Sequence, residues 1–396
     1  MTTENKSLLT LFSVVVLDLI GFGVVIPILP FYAEKYGASA SLLGILLATY
    51  SAMQFICSPL WGKLSDRIGR KKVMIVTMIG SCLSLWLLGS SHSMAMIFVG
   101  RTLGGIFAAN ISVASAYVTD VTTEENRTKG MGMIGAAFGI GFILGPALGG
   151  GLEHYGYHVP IHVASALTAI NTIYAFFVLQ EPKRHHKDTT VIKTAMLSNP
   201  FVRKMCLIYF LFTAAMSQLE AVFAFLMMDR YHYDARHVAS ILVGMALVMV
   251  GIQGGLIRRL AKRYGEHRLL IIGVLILAAS FAAIPLTHAL GLLLIPLLVS
   301  AVGRGISQPS LLSLVSKGGP KTRQGEVMGT FQASASLARV VGPFAAGLLY
   351  DWQHPLPFVL AAGLMSVIFI LAFGIPALPG ISCTPAMGAL IEEEGL

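Results

Sequence analysis

Long apolar runs alternate with short polar links from one end of the chain to the other. Twelve runs fall near residues 8–31, 42–61, 73–91, 94–118, 130–152, 159–179, 204–228, 239–260, 269–288, 290–315, 327–350 and 356–376. Each is about 18–25 residues, the length that carries an α-helix across the hydrocarbon core of a bilayer. A backbone in hydrocarbon must satisfy its own hydrogen bonds, which restricts spanning segments to helices and closed barrels. The pattern predicts an all-α membrane protein with twelve transmembrane helices. Most links contain Gly, Pro, Asp or Lys, and the longest, near 180–203, divides the spans six and six.

The two sets of six repeat. Arg127 and Arg323 are 196 residues apart, as are Gly69 and Gly265. Gly132 and Gly329, Pro146 and Pro343, and Gly150 and Gly347 are each 197 apart. The repeat predicts two pseudo-symmetric six-helix halves, 1–180 and 204–396, the second ending in a short cytoplasmic tail. A cytoplasmic central loop, 181–203, joins them. Parallel repeats of this kind place a substrate site near the bilayer midplane, between the halves.

Composition agrees. The chain of 396 residues is 55% hydrophobic and 12% charged, with mean hydropathy +0.76. Soluble domains are about a quarter charged. The net charge of +9 suggests nucleic acid at first sight, but the cations sit in alternate links rather than on one face. With the N-terminus inside, inside links hold 22 Lys and Arg and outside links 3. That asymmetry puts both termini in the cytoplasm. The opening MTTENKSLLTLF lacks a cleavage signature and reads as the start of a retained first span. Cys57, Cys82, Cys206 and Cys383 have no C-x-x-C spacing and read as small apolar residues.

Gly62–Lys72 packs five cations (Lys63, Arg67, Arg70, Lys71, Lys72) and one carboxylate, Asp66, into a short turn punctuated by Gly62 and Gly69. This turn resembles the G-x-L-(A/S)-D-R-x-G-R-(R/K) loop of the major facilitator superfamily. Arg101 in GRTLGG is similar to that superfamily's second motif, and GFILGPALGG (141–150) resembles the antiporter motif of its drug exporters, with Gly141, Gly145, Pro146, Gly149 and Gly150 as its fixed positions. The likeness covers nearly the whole chain and is greatest to the twelve-span drug/proton antiporters that include the tetracycline exporters. The resemblance implies a monomeric carrier in a bacterial cytoplasmic membrane, exchanging protons for small amphiphilic compounds or drugs by alternating access. It also implies a part for Arg101 in proton coupling. The tetracycline exporters carry acidic residues in spans 3 and 9. This chain has Ser84 in span 3 and no Asp or Glu from 269 to 288.

An ionisable side chain at mid-membrane depth is costly and faces a cavity or a partner. Asp18 is a candidate to bind a proton or a cationic substrate, or else to cap a helix broken around Gly21, Gly23 and Pro27. Glu220 in span 7 has the same standing, with a place near the outer mouth as its alternative. Arg304 occupies roughly the repeat position of Arg101 and reads as structural. Arg339 reads as touching the interhelical loops. Tyr50, Gln54, Asn110 and Gln332 are polar residues able to line a cavity. Phe223, Phe225, Met227 and Met228 read as packed or lipid-facing, with a soft substrate surface as the alternative. His154, His158 and His162 have helical spacing, but Pro160 interrupts them, and they read as loop histidines. The Gly145–Pro146 pair allows close helix approach and limits leak between the halves. Asp66 and Arg70 form a latch against the end of span 11 that holds the inner gate shut in the outward-facing state.

The sequence lacks Walker A, G-x-S-x-G and H-E-x-x-H strings and calls for no cofactor, metal or catalytic residue. Its expected partners are a small-molecule substrate, protons and the lipid bilayer. A carrier dedicated to one metabolite or siderophore-like compound is the second reading, and a receptor on a transporter fold the third.

Overall fold

The computed structural model describes residues 3–122, 124–182, 199–318 and 324–374. Twelve helices among them are long and apolar enough to cross a membrane. Spans 1–6 are Ser7–Glu34, Ala40–Ile68, Arg70–Gly89, Met94–Val121, Met133–Tyr155 and His158–Val178. Spans 7–12 are Pro200–Tyr231, Ala235–Tyr264, Glu266–Leu286, Leu290–Gly318, Val327–Trp352 and Leu356–Phe373. Large apolar side chains such as Leu83, Ile170, Phe177 and Ile370 stand exposed on the outside, the surface a bilayer covers. Most of the expected central loop, the tail beyond residue 374, and the cations Lys183, Arg184, Lys187, Lys193, Lys321 and Arg323 lie outside the described residues.

Packing repeats as the sequence does. Span 1 packs on spans 5 and 6, and span 7 on spans 11 and 12. Span 3 packs on spans 4 and 6, and span 9 on spans 10 and 12. The extensive contacts between the two sets are span 2 with span 11 and span 5 with span 8, which exchange under the same two-fold relation.

The basic turn is shorter than its sequence suggests. Span 2 continues as helix through Ile68, Gly69 alone turns the chain at φ 114°, and span 3 starts at Arg70. Lys63–Arg67 contains no helix breaker, so helix propagation carries the span past its apolar stretch. Gly265, its repeat partner, makes the same one-residue turn at φ 76° between spans 8 and 9. Both positions need a residue that tolerates positive φ.

Span 1 is an unbroken helix from Thr3 to Glu34 despite Pro27 and Pro30, so Asp18 caps no break there. The break lies in span 4, which was expected to be continuous: helix Met94–Phe107 ends, and a second helix, Asn110–Val121, begins. A π-turn at Ile252–Leu256 also interrupts span 8. The histidine segment divides at Gly156, φ 108°, rather than at Pro160, which sits in the first turn of His158–Val178.

The halves meet at the face opposite the basic turn. A Cβ on Gly150 would collide with Ala239 of span 8, and Cβ atoms on Gly44 and Gly347 would meet backbone of spans 11 and 2. Toward the basic face, Gly62, Gly135, Gly254, Gly255 and Gly329 have nothing within 4 Å of a Cβ position. Among the described residues, the glycine contacts between spans 2 and 11 and at Gly150 thus close the face opposite the basic turn.

Candidate functional site

The break in span 4 builds the first part of the site. A helix end leaves carbonyls without partners, and in a membrane other groups must satisfy them. Span 2 does so: Trp61 Nε1 donates to the Ile106 carbonyl at 2.7 Å, and Gln54 Nε2 to the Ala108 carbonyl at 3.1 Å. Gly105 makes this possible, because span 4 lies so close to Tyr50 and Met53 that a Cβ there has no room. Gln54 therefore holds the break rather than lining a cavity.

The second piece of span 4 starts at Asn110. Its Nδ2 donates to Asp18 Oδ1 at 2.9 Å, and its Oδ1 accepts from the Thr77 hydroxyl of span 3. Both Asn110 and Thr77 are buried. Spans 3 and 4 thus fix the orientation of the carboxylate on span 1, and the second carboxylate oxygen has no bond among the described residues.

Beside it, the Arg101 guanidinium lies 4.0 Å from the centre of the Tyr50 ring. Arg101 is only 8% exposed, and its Nε has no hydrogen-bond partner among the described residues. Phe22 also neighbours Tyr50, with ring centres 6.1 Å apart. The Tyr50 hydroxyl is within electrostatic reach of Asp18, Arg101 and Arg339. Arg339 belongs to span 11, so side chains of both halves converge on this tyrosine. Its exposed side chain bonds the Ser336 hydroxyl on the same span at 3.4 Å.

In the second half, Arg304 Nη1 bonds Glu220 Oε1 at 2.6 Å. Arg304 and Glu220 are thus partners in one ion pair joining spans 10 and 7. Arg304 is also not at the repeat position of Arg101. It lies fourteen residues into Leu290–Gly318, whereas Arg101 lies seven into Met94–Phe107, about 10 Å deeper along the axis. Tyr209 bonds Gln308, stacks on Phe331 with centres 3.9 Å apart, and feels both Arg304 and Arg339. Phe223, Phe225 and Met227 are buried core, so the soft substrate surface is not theirs. Gln332 is exposed on span 11.

The glycines of 141–150 divide into two tasks. Cβ atoms on Gly141, Gly145 and Gly149 would run into Leu19, Gly23 and Val24 of span 1, at 2.6, 2.5 and 2.6 Å. These positions, with Pro146 among them, weld span 5 to span 1 within the half. Gly150 faces span 8 and closes the contact between the halves.

At the basic face, Arg70 gathers Asp66 (2.6 Å), Asp120 (2.8 Å) and the Ser65 hydroxyl (2.6 Å), and Glu181 accepts from the amides of Arg70 and Lys71. The turn at Gly69 is thereby tied to the end of span 4. Neither Asp66 nor Arg70 bonds span 11 among the described residues. In the second half, Glu266 pairs with Lys317 and Ser313. Glu266 and Lys317 stand 196 and 197 residues after Arg70 and Asp120. The same tie recurs with its charges exchanged.

At the opposite face, a cavity of about 350 Å³ is lined by Tyr32, Lys35, Glu153, Tyr157, His158 and Asp234. It lies among loops at the closed end, away from Asp18 and Tyr50. The roles of Tyr209 and Glu181 left no mark in sequence pattern, because each depends on a neighbour about a hundred residues away.

A family model described as Major Facilitator Superfamily matches residues 11–343 and 259–382. Tetracycline resistance protein, class B, of Escherichia coli is 30% identical over 364 residues, covering 89% of this chain and 90% of that protein. Multidrug resistance protein 2 of Bacillus subtilis is 30% identical over 380 residues, covering 92% and 94%. Among solved structures, the human organic anion transporter MFSD10 superposes with TM-score 0.73 at 26% identity, over 94% of this chain and all of that one.

Proposed function

The chain belongs to the Major Facilitator Superfamily, and on that premise we propose that it is a proton-coupled antiporter exporting small amphiphilic compounds. It works as a monomer in a bacterial cytoplasmic membrane, with the basic face and both termini in the cytoplasm. The halves 1–180 and 204–396 rock about the site at Tyr50, exposing it alternately to the two faces.

One observation carries the reading. Asp18 lies in the middle of span 1, Asn110 at the start of the second piece of span 4 holds it near Tyr50, and Arg101 packs on the ring of that tyrosine. An enclosed carboxylate with a fixed orientation and one free oxygen can exchange a proton with the face that is open. Substrate arriving at the same site competes with that proton, and the competition couples the two flows. The Glu220–Arg304 pair is charge-balanced and holds span 7 against span 10, while Asp18 carries the proton.

The latch of Asp66 and Arg70 fits the same cycle. When the basic face closes, the exposed Asp66 carboxylate meets the end of span 11, and Arg70 keeps it aimed there through their 2.6 Å bond. Proteoliposomes with an imposed pH gradient test the reading. Accumulation of fluorescent amphiphiles that follows the gradient in wild type and is lost in Asp18→Asn supports it. Accumulation indifferent to the gradient rejects it.

A further inference from the structure

The two basic turns repeat in backbone but not in charge. In the first half, Asp66, Asp120 and Glu181 meet the turn at Arg70 and Lys71. In the second half, Lys262 stands 196 residues after Asp66, as Gly265 does after Gly69. The helix Ile257–Tyr264 carries Arg258, Arg259, Lys262 and Arg263 and no carboxylate. Glu266, just beyond it, is taken by Lys317 and Ser313. The four cations share one face. Ile257, Leu260 and Ala261 pack inward on the cluster of Ile252, Leu269 and Ile306. At 3.6 residues per turn the cations fall on the other side, and all four are exposed. None of them pairs with a carboxylate among the described residues. Like charges so close repel one another, and the face calls for an anion.

The chain itself holds one. Span 12 ends beside this turn, where the Ala372 carbonyl accepts from His267 Nε2 at 2.8 Å. The segment that follows, 375–396, lies outside the described residues. Its charged side chains are Glu392, Glu393 and Glu394. The eighteen residues from Gly374 to Glu392 reach at most about 60 Å, and His267 is within about 15 Å of Arg263. We propose that Glu392–Glu394 dock on Arg258, Arg259, Lys262 and Arg263, clipping the end of span 12 to the end of span 8. Tethering makes the contact intramolecular, which raises the effective concentration of these carboxylates at the face. The π-turn Ile252–Leu256 joins this helix to the rest of span 8, with open space at Gly254 and Gly255. The docked segment thus steadies a helix end that hangs on an irregular turn. The contact lies on the basic face and holds whatever compound the site between the halves takes.

Double electron–electron resonance on the full chain in phosphatidylcholine nanodiscs tests this. The native cysteines are replaced by alanine, and labels are placed at Gly255→Cys and Gly395→Cys. A short, narrow distance is expected at low salt. It broadens at about 1 M salt, where the Debye length is about 3 Å. Glu392→Gln, Glu393→Gln and Glu394→Gln together broaden it at low salt. Arg258→Glu, Arg259→Glu and Lys262→Glu together do the same, and adding Glu392→Lys, Glu393→Lys and Glu394→Lys restores the narrow distance. A broad distance in the native sequence at low salt overturns the proposal. So does a narrow one that survives neutralisation of the three glutamates, or a charge exchange that restores nothing. Adding phosphatidylglycerol separates the two sources of anion. A docked segment keeps its narrow distance, whereas broadening assigns the face to lipid headgroups and overturns the proposal.

Discussion

Asp351, in the last turn of span 11, accepts a 2.9 Å hydrogen bond from the backbone amide of Ser41, in the first turn of span 2. Its other oxygen takes the Ala40 amide at 3.2 Å. The two residues belong to different halves. Glu153, at the end of span 5, lies against the amides of Ala235 and Arg236 at the start of span 8. Each carboxylate thus closes a helix N-terminus of the opposite half, where free amides and the helix dipole favour an anion. The pair follows the two-fold relation between spans 2–11 and 5–8, and it fastens the face that is shut.

Removing one fastening shifts the equilibrium between the two facing states. Asp351→Ala deletes charge-assisted bonds worth about 1.5–3 kcal/mol, a population change of roughly tenfold or more. Double electron–electron resonance between labels at Tyr155 and Leu286 checks this at the closed face. Asp351→Ala populates a longer distance, and Asp351→Ala with Glu153→Ala populates it further. A single short distance in all three proteins contradicts the role.

The exchanged ties at the basic face make a second prediction. Arg70→Glu alone places four carboxylates together, with Asp66, Asp120 and Glu181, and destabilises the turn by about 3 kcal/mol, as expected for one broken partly buried pair. Arg70→Glu with Asp120→Lys reproduces the arrangement that Glu266 and Lys317 already use, and recovers most of the lost melting temperature. Absence of recovery shows that the two ties are not equivalent.

Close packing of spans 1 and 5 gives the third. A Cβ at Gly145 falls 2.5 Å from the Gly23 Cα, and backbone cannot move aside cheaply. Gly145→Ala costs about 1–3 kcal/mol by overpacking. Gly151→Ala meets open space and serves as the neutral control. Melting temperatures in detergent distinguish the two.

The broken span gives the fourth. Gln54→Leu leaves the Ala108 carbonyl buried without a donor, a loss of about 1–3 kcal/mol. Hydrogen exchange at residues 106–110 rises in this variant, and Asp18-dependent transport falls because Asn110 loses its position. Unchanged exchange there removes Gln54 from the account.

Much of this architecture was legible in the chain. Hydrophobic run lengths located all twelve spans, most of them to within a few residues, because the bilayer sets a length that sequence must meet; the end of span 2 was missed by seven residues. The 196-residue spacing of Gly69 and Gly265 located two turns that only positive φ can make. Asp18, Asn110, Tyr50 and Arg101 stood out as polar groups in apolar runs, and the structure brings all four together. What stayed hidden were relations rather than residues. The helical run through Lys63–Arg67 looked like a loop because charge there resembles a link. The break at Ala108–Ala109 carries no proline, and its cause is the donors Trp61 and Gln54 on another span.

In the proposed cycle Asp18 is the group that exchanges substrate for proton. The most direct measurement follows fluorescent amphiphiles and internal pH together in proteoliposomes holding wild type or Asp18→Asn. In wild type, substrate moves against its gradient while protons move down theirs, and collapsing the pH gradient stops both. In Asp18→Asn, substrate equilibrates down its own gradient and proton movement no longer responds to it. Concentrative, proton-linked transport surviving in Asp18→Asn contradicts the account.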